Sequence, residues 1–392
     1  MRKPIKRRAS SCRPASFPGQ LVKGGKQSLT RQVLAAMGLS VVLAGISAPV
    51  AVAQEAQEPA TSAAVITPKA SSALLLDVDR AGDRLVAVGA RGHILYSDDN
   101  GQNWQQAPVP TRQLLTAVDF VDETHGWAVG HDSLILHTSD AGESWTIQYR
   151  DPELEQEADA DGPGLLEKPL MDVWFRDNQT GFAVGAYGLF LRTDDGGQSW
   201  DDLTYEIDNE DGFHYNALAE IPETGLFLVG ELGMMFRSAD YGDSWEAIEE
   251  LPYDGSLFGV GGTGEPNVVL AWGLRGNMFR SEDFGDTWEE VELMTPHNGP
   301  LEATLSGGSY SRDGKVVVVG AGGFVVTSDD HGRNFSVASR PDRAALATAT
   351  VLENGNLLLL GQRGAVKGDS TGMPQNGSAA DRIPAAGTPA VQ

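Results

Sequence analysis

An all-β, seven-bladed β-propeller of four-stranded antiparallel blades is the fold class this sequence predicts, and three observations predict it. An octapeptide, Ser/Thr-x-Asp-x-Gly-x-x-Trp/Phe, recurs six times. Its closing aromatics lie 41, 55, 45, 43 and 47 residues apart, a period that fits one four-stranded sheet per repeat. An apolar run ending in glycine occurs seven times, at Gly89, Gly130, Gly185, Gly230, Gly273, Gly320 and Gly361.

The octapeptide is an Asp box. Its copies are marked by Asp99, Gly101 and Trp104, by Asp140, Gly142 and Trp145, and by Asp195, Gly197 and Trp200. Three more follow with Asp240, Gly242 and Trp245, with Asp283, Gly285 and Trp288, and with Asp330, Gly332 and Phe335. The carboxylate and the hydroxyl can bond turn backbone that neither flanking strand can satisfy. Glycine permits a backbone conformation closed to other residues. The aromatic opens the next strand and packs between sheets. Each box is therefore expected to be a structural staple.

Blade one reads as strands at Leu74–Asp79, Leu85–Val88, His93–Ser97 and Trp104–Ala107, joined by short turns. The seventh unit, residues 344–367, has no box and no fourth strand. Ala63–Thr67 has the apolar, β-branched character of an outer strand, so the ring is expected to close by pairing this N-terminal strand there. The propeller then spans 62–369, after a linker at 54–61 and before a disordered tail at 370–392 rich in Gly, Pro and Ala.

Residues 1–53 read as a secretory signal peptide. A basic stretch without acids precedes the apolar run Val33–Ala48, and Ala51-Val52-Ala53 is a small-x-small cleavage site. An exported, periplasmic or other extracytoplasmic protein is expected. The signal carries nine of the 29 basic residues and none of the 54 acids, leaving 20 basic groups against 54 acidic ones, a net −34. Phosphate would be repelled, so nucleic acid is excluded as a partner. The single cysteine, Cys12, falls in the signal, so disulfides and thiol chemistry are not expected beyond it. The seven histidines show no paired ligand spacing. No metal, cofactor or small-molecule substrate is predicted.

Six Asp boxes, the Gly89/Gly92-type turns and the phrases Gly126-Trp-Ala-Val-Gly130 and Gly181-Phe-Ala-Val-Gly185 together resemble the photosystem II stability and assembly factor family. The resemblance covers about residues 65–368. It implies a seven-bladed propeller, lumenal or periplasmic, that escorts membrane-protein subunits during assembly and meets its client through an arginine patch. It does not imply a photosynthetic host. A non-enzymatic scaffold for a membrane-protein subunit or complex is the function expected.

The rival reading is an Asp-box glycoside hydrolase of sialidase or endoglucanase type. Sialidase chemistry needs three arginines on a carboxylate, a tyrosine nucleophile and acidic partners. The one Arg-Ile-Pro motif, at Arg382, lies in the low-complexity tail, and the repeat count is seven rather than six.

Propeller topology sorts the loops by face. Arg91, Arg275 and Arg363 sit in turns between second and third strands, Arg112 in the link from blade one to two, and Arg340 and Arg343 in the link from six to seven. All six are expected on the face opposite the boxes, as a basic arc that binds the partner. Acidic links are expected on the same face, from Asp151 to Asp161 and from Asp201 to Asp211. Arginine suits carboxylate recognition because its planar fork can donate two bonds at once.

Overall fold

The computed structural model describes residues 63–151, 168–297 and 299–375. The expected signal peptide at 1–53 and linker at 54–61, most of the acidic insert and the tail from 376 lie outside the described residues. Seven antiparallel sheets follow one another, each a meander in chain order. Six have four strands and the last has three. The seven first strands contact one another in sequence, and the last of them, Leu346–Val351, contacts the first, Leu75–Ala81. The sheets thus form a closed ring of blades.

Second strands are sandwiched between neighbouring blades on both faces. Every residue of Gly126–Gly130, Gly181–Gly185, Gly225–Gly230, Val269–Gly273, Val316–Gly320 and Leu357–Gly361 is buried. That is why these strands read as unbroken apolar runs rather than alternating ones. The core is accordingly divided among blade interfaces. At the seam, Leu75 and Leu85 of blade one pack with Leu352, Leu358 and Leu360 of blade seven.

The boxes form the hydrogen bonds their chemistry suggests. In the first, Ser97 Oγ donates to Asp99 Oδ1 at 2.9 Å and accepts from the Gly101 N–H at 2.9 Å. Asp99 Oδ1 also accepts from the N–H groups of Gln102 and Asn103. The hydroxyl–carboxylate and hydroxyl–glycine pair recurs in the other five. The boxes also reach beyond their own hairpins. Each box glycine presses on the preceding blade: Gly142 on Val86, Gly197 on Gln148, Gly242 on Phe182, Gly285 on Phe227 and Gly332 on Leu270. Gly101 presses on Leu358 of blade seven, so the first box helps to close the ring. Arginines reinforce these joints. Arg84 donates to the Ala141 carbonyl, Arg192 to that of Gly242 and Arg237 to that of Phe284, each in the next box.

Closure differs from the sequence expectation. Ala63–Thr67 does not pair with blade seven. It lies on blade one, where the Ala64 N–H donates to the Val109 carbonyl and the Thr67 N–H to Gln106 Oε1. Ala64 joins the core between blades one and two. The fourth strands show why a long outer strand is not needed: four of the six are only two residues long.

Residues 370–375 are likewise ordered rather than a disordered tail. Asp369 Oδ1 accepts from the N–H groups of Thr371 and Met373, and Pro374 bridges back to Gly368. Gly372, at φ 81°, presses on Val325 of blade six. Lys315 donates to Asp329 and to the Ser370 carbonyl, as Arg84 does to Asp98 and the next box. Asp369–Met373 is thus a degenerate seventh box, with a carboxylate where the others carry a hydroxyl.

Candidate functional site at the channel mouth

The seven first strands line a central channel. At one end it opens into a cavity of about 700 Å3, walled by Leu74, Leu76, Phe258 and Leu346, with Thr116 and Ser306 among its polar groups. The turns between second and third strands stand on this rim. In blade one the Ala90 N–H donates to the Leu74 carbonyl, in blade five Leu274 to Ser256, in blade seven Gln362 to Ala345. The arginine turns are therefore bolted to the residues that wall the cavity or adjoin them.

Six of these turns carry a residue in the left-handed region: Arg91 at φ 61°, Asp132 at 60°, Tyr187 at 59°, Leu232 at 53°, Arg275 at 57° and Gly322 at 71°. Five are not glycine, and holding them there costs about 1 kcal/mol each. The blade-seven turn instead closes tightly between Gly361 and Gly364.

Arg91, Arg275, Arg343 and Arg363 are exposed. Arg363 stands 4.0 Å from Asp342 and leaves 64% of its side chain open. Arg112 is exposed too, but its Nε donates to the Ala63 carbonyl. Arg340 departs from the expected arc. It is 4% exposed and donates to the Gly372 carbonyl at 2.6 Å and to Asp342. Its role is to hold the degenerate seventh box, which explains its burial.

The acidic side is also redrawn. Asp201 and Asp202 form the fourth strand of blade three rather than a link. Asp151 is buried and lies 3.6 Å from Lys168, and residues 152–161 lie outside the described residues.

Two features of the rim and channel are not arginines. Tyr187 and Leu232 hold the same turn position as Arg91 and Arg275 and are 42% and 53% exposed. The Tyr187 ring meets His214 edge-on at 4.8 Å. The signal for them lies in the column of seven turns, six bracketed by glycine at both ends and one running from Gly130 to Ser133. The second feature is a set of aspartates along the first strands. The inner strand is a sheet edge, and its N–H groups need acceptors. Asp77 accepts from Val118 and Asp79 from Phe120, Asp119 from Phe175, and Asp172 from Leu218, each across a blade boundary. Burial raises all four carboxyls, Asp79 to about 6 and Asp172 to about 7, and mutual repulsion adds to the rise at Asp77 and Asp119. Strand alternation gave no warning of them, because channel-facing polar residues look like solvent-facing ones.

Residues 103–161 and 165–294 match a family described as photosynthesis system II assembly factor YCF48, and residues 95–106 match the BNR/Asp-box repeat. A photosystem II stability/assembly factor HCF136 of Cyanidioschyzon merolae is 43% identical over 60 residues, 14% of each chain. The photosystem II assembly lipoprotein Ycf48 of Synechococcus sp. (strain CC9902) is 28% identical over 118 residues, 29% of this chain and 32% of the relative. This chain belongs to the photosystem II assembly factor-like family of Asp-box propellers. Its matched segments span one-seventh to one-third of these two family members. The solved structure of YCF48 bound to D1 peptide superposes with a TM-score of 0.56 at 20% identity, covering 78% of this chain and 94% of that one. YCF48 from Cyanidioschyzon merolae gives 0.56 at 16% identity, over 77% and 96%. At such identities the likeness to a family structure concerns the fold alone. No helix among the described residues is long and apolar enough to cross a membrane.

Proposed function

We propose that this protein is an exported, non-enzymatic scaffold that holds an extracytoplasmic segment of a membrane-protein subunit during assembly of its complex. The observation that carries the reading is the channel mouth: an apolar cavity rimmed by exposed arginines on rigid turns. Family membership supports it, because relatives are named for photosystem II assembly and one was solved with a D1 peptide bound. The partner surface consists of Arg91, Arg275, Arg343 and Arg363, with Arg112 beside them. Against a strongly acidic remainder, this rim is where an acidic client segment meets attraction.

Glutamate at Arg91, Arg275 and Arg363 together tests the reading. The three side chains are exposed, so the melting temperature is expected to stay within about 2 °C of wild type. Recovery of a membrane-protein partner in a pull-down is expected to fall at least about tenfold, and wild-type recovery to weaken as salt rises. Unchanged recovery by the triple variant would sink the assignment of this face.

A further inference from the structure

We infer that the client segment is read by two elements at once, a bulky apolar side chain entering the mouth cavity and carboxylates beside it engaging the arginine turns. The inference rests on the scaffold reading above and gives the chemistry of its partner. The cavity lies within the range of about 300–1,000 Å3 typical of ligand pockets. Its wall is apolar where solvent exposure would otherwise be avoided: Leu74 alone is 37% exposed. The main-chain carbonyls of Leu74, Thr304 and Ala345 already accept from the turns above them. At these three points the wall offers a ligand side chains rather than free carbonyls.

The rim supplies the second element. Arg91, Arg275 and Arg363 belong to blades one, five and seven, so they are spread along an arc of the rim rather than clustered at one point. An extended segment can place one apolar side chain down the channel and reach the arginines with acidic residues on either side. Carboxylates match the rim in charge and geometry. A purely acidic segment would leave the apolar wall wet, and a purely apolar one would leave the arginines unused.

Ala345 offers a clean test. It is exposed, lines the cavity, and its backbone contact to Gln362 does not depend on its side chain. Ala345→Trp fills the cavity from its rim, and Leu74→Asn is a second variant that makes the wall polar. The probe is an immobilised library of random dodecapeptides presented to the full exported chain. Wild type is expected to enrich peptides with Asp or Glu within a few residues of Leu, Ile or Phe. Both variants are expected to lose at least about tenfold in capture of those peptides, while retaining salt-sensitive capture of acidic peptides without an apolar residue. Arg91, Arg275 and Arg363 changed to Glu should lose both classes. Wild-type enrichment of acidic peptides regardless of apolar content, or an undiminished apolar preference in both cavity variants, overturns the inference while leaving the scaffold reading standing. No enrichment of acidic peptides by wild type overturns both.

Discussion

Gly242 shows how much one residue can decide in this ring. Its φ of 100° already excludes most side chains, and an added Cβ would lie 2.1 Å from the Phe182 ring. That ring is fully buried and meets Trp245 edge-on at 6.2 Å, so it has nowhere to retreat. Gly242→Ala is expected to cost about 3 kcal/mol or more through overpacking and strain together. Gly355 has a similar left-handed φ of 76° but open space around it. Gly355→Ala is expected to cost about 1 kcal/mol, the backbone component alone. Urea unfolding of the two variants separates the effects, and equal losses would show that the box glycine is kept for its hairpin and not for the blade behind it.

At the scale of the element, the degenerate seventh box is the segment with most to explain. Truncation after Gly368 would remove Gly372 from Val325 and leave Arg340 buried without its carbonyl partner. A buried arginine deprived of an acceptor is a costly group. The truncated protein is expected to lose about 3 kcal/mol, a fall in melting temperature of about 6 °C by calorimetry. A melting curve indistinguishable from full length would make the turn a bystander. Sequence made six boxes legible because a hydroxyl, an Asp, a Gly and an aromatic recur in fixed spacing. It hid the seventh because Asp369 replaces the hydroxyl, the turn is shorter and no aromatic follows. For the same reason Arg340 looked like one more surface cation. Its burial depends on Gly372, a contact 32 residues away that no local pattern encodes. Arg91 and Arg275 were placed on their turns from sequence because the bracketing glycines fix the turn itself. The cavity wall was not, because Leu74, Phe258 and Leu346 come from three blades and meet only once the ring closes.

The whole molecule should carry a pH dependence of opposite sign at the two ends of its acid range. Folded, Asp79 and Asp172 hold protons up to about pH 6 and 7 that an unfolded aspartate has released by about pH 4. Folding takes up protons in that window, so stability falls as pH rises through it. Box aspartates behave inversely. Hydrogen bonds from Asn103, Ser244 and Asn334 hold Asp99, Asp240 and Asp330 down to about 2. Their contribution is present above about pH 4 and lost as pH falls toward 2. A melting-temperature maximum near pH 4–5 is therefore expected. Asp119→Asn keeps an oxygen to accept the Phe175 N–H while removing a charge, and should flatten the decline between pH 5 and 8. A maximum at pH 8 in wild type would contradict the assignment of raised carboxyls to the channel.

The seam between blades seven and one is made by the device used at most other joints: a box glycine, Gly101, set against the neighbouring second strand at Leu358, as Gly142 is against Val86 and Gly242 against Phe182. Among the described residues, no strand is borrowed from the far end of the chain to lock it. The ring consequently has no privileged beginning. A chain cut in any link between blades, with its present ends rejoined, would contain the same seven joints, and such circular permutants should fold to the same ring. Duplication or loss of one whole repeat also brings its own joint with it. Blade number in such a lineage can therefore drift by units without a clasp having to be reinvented.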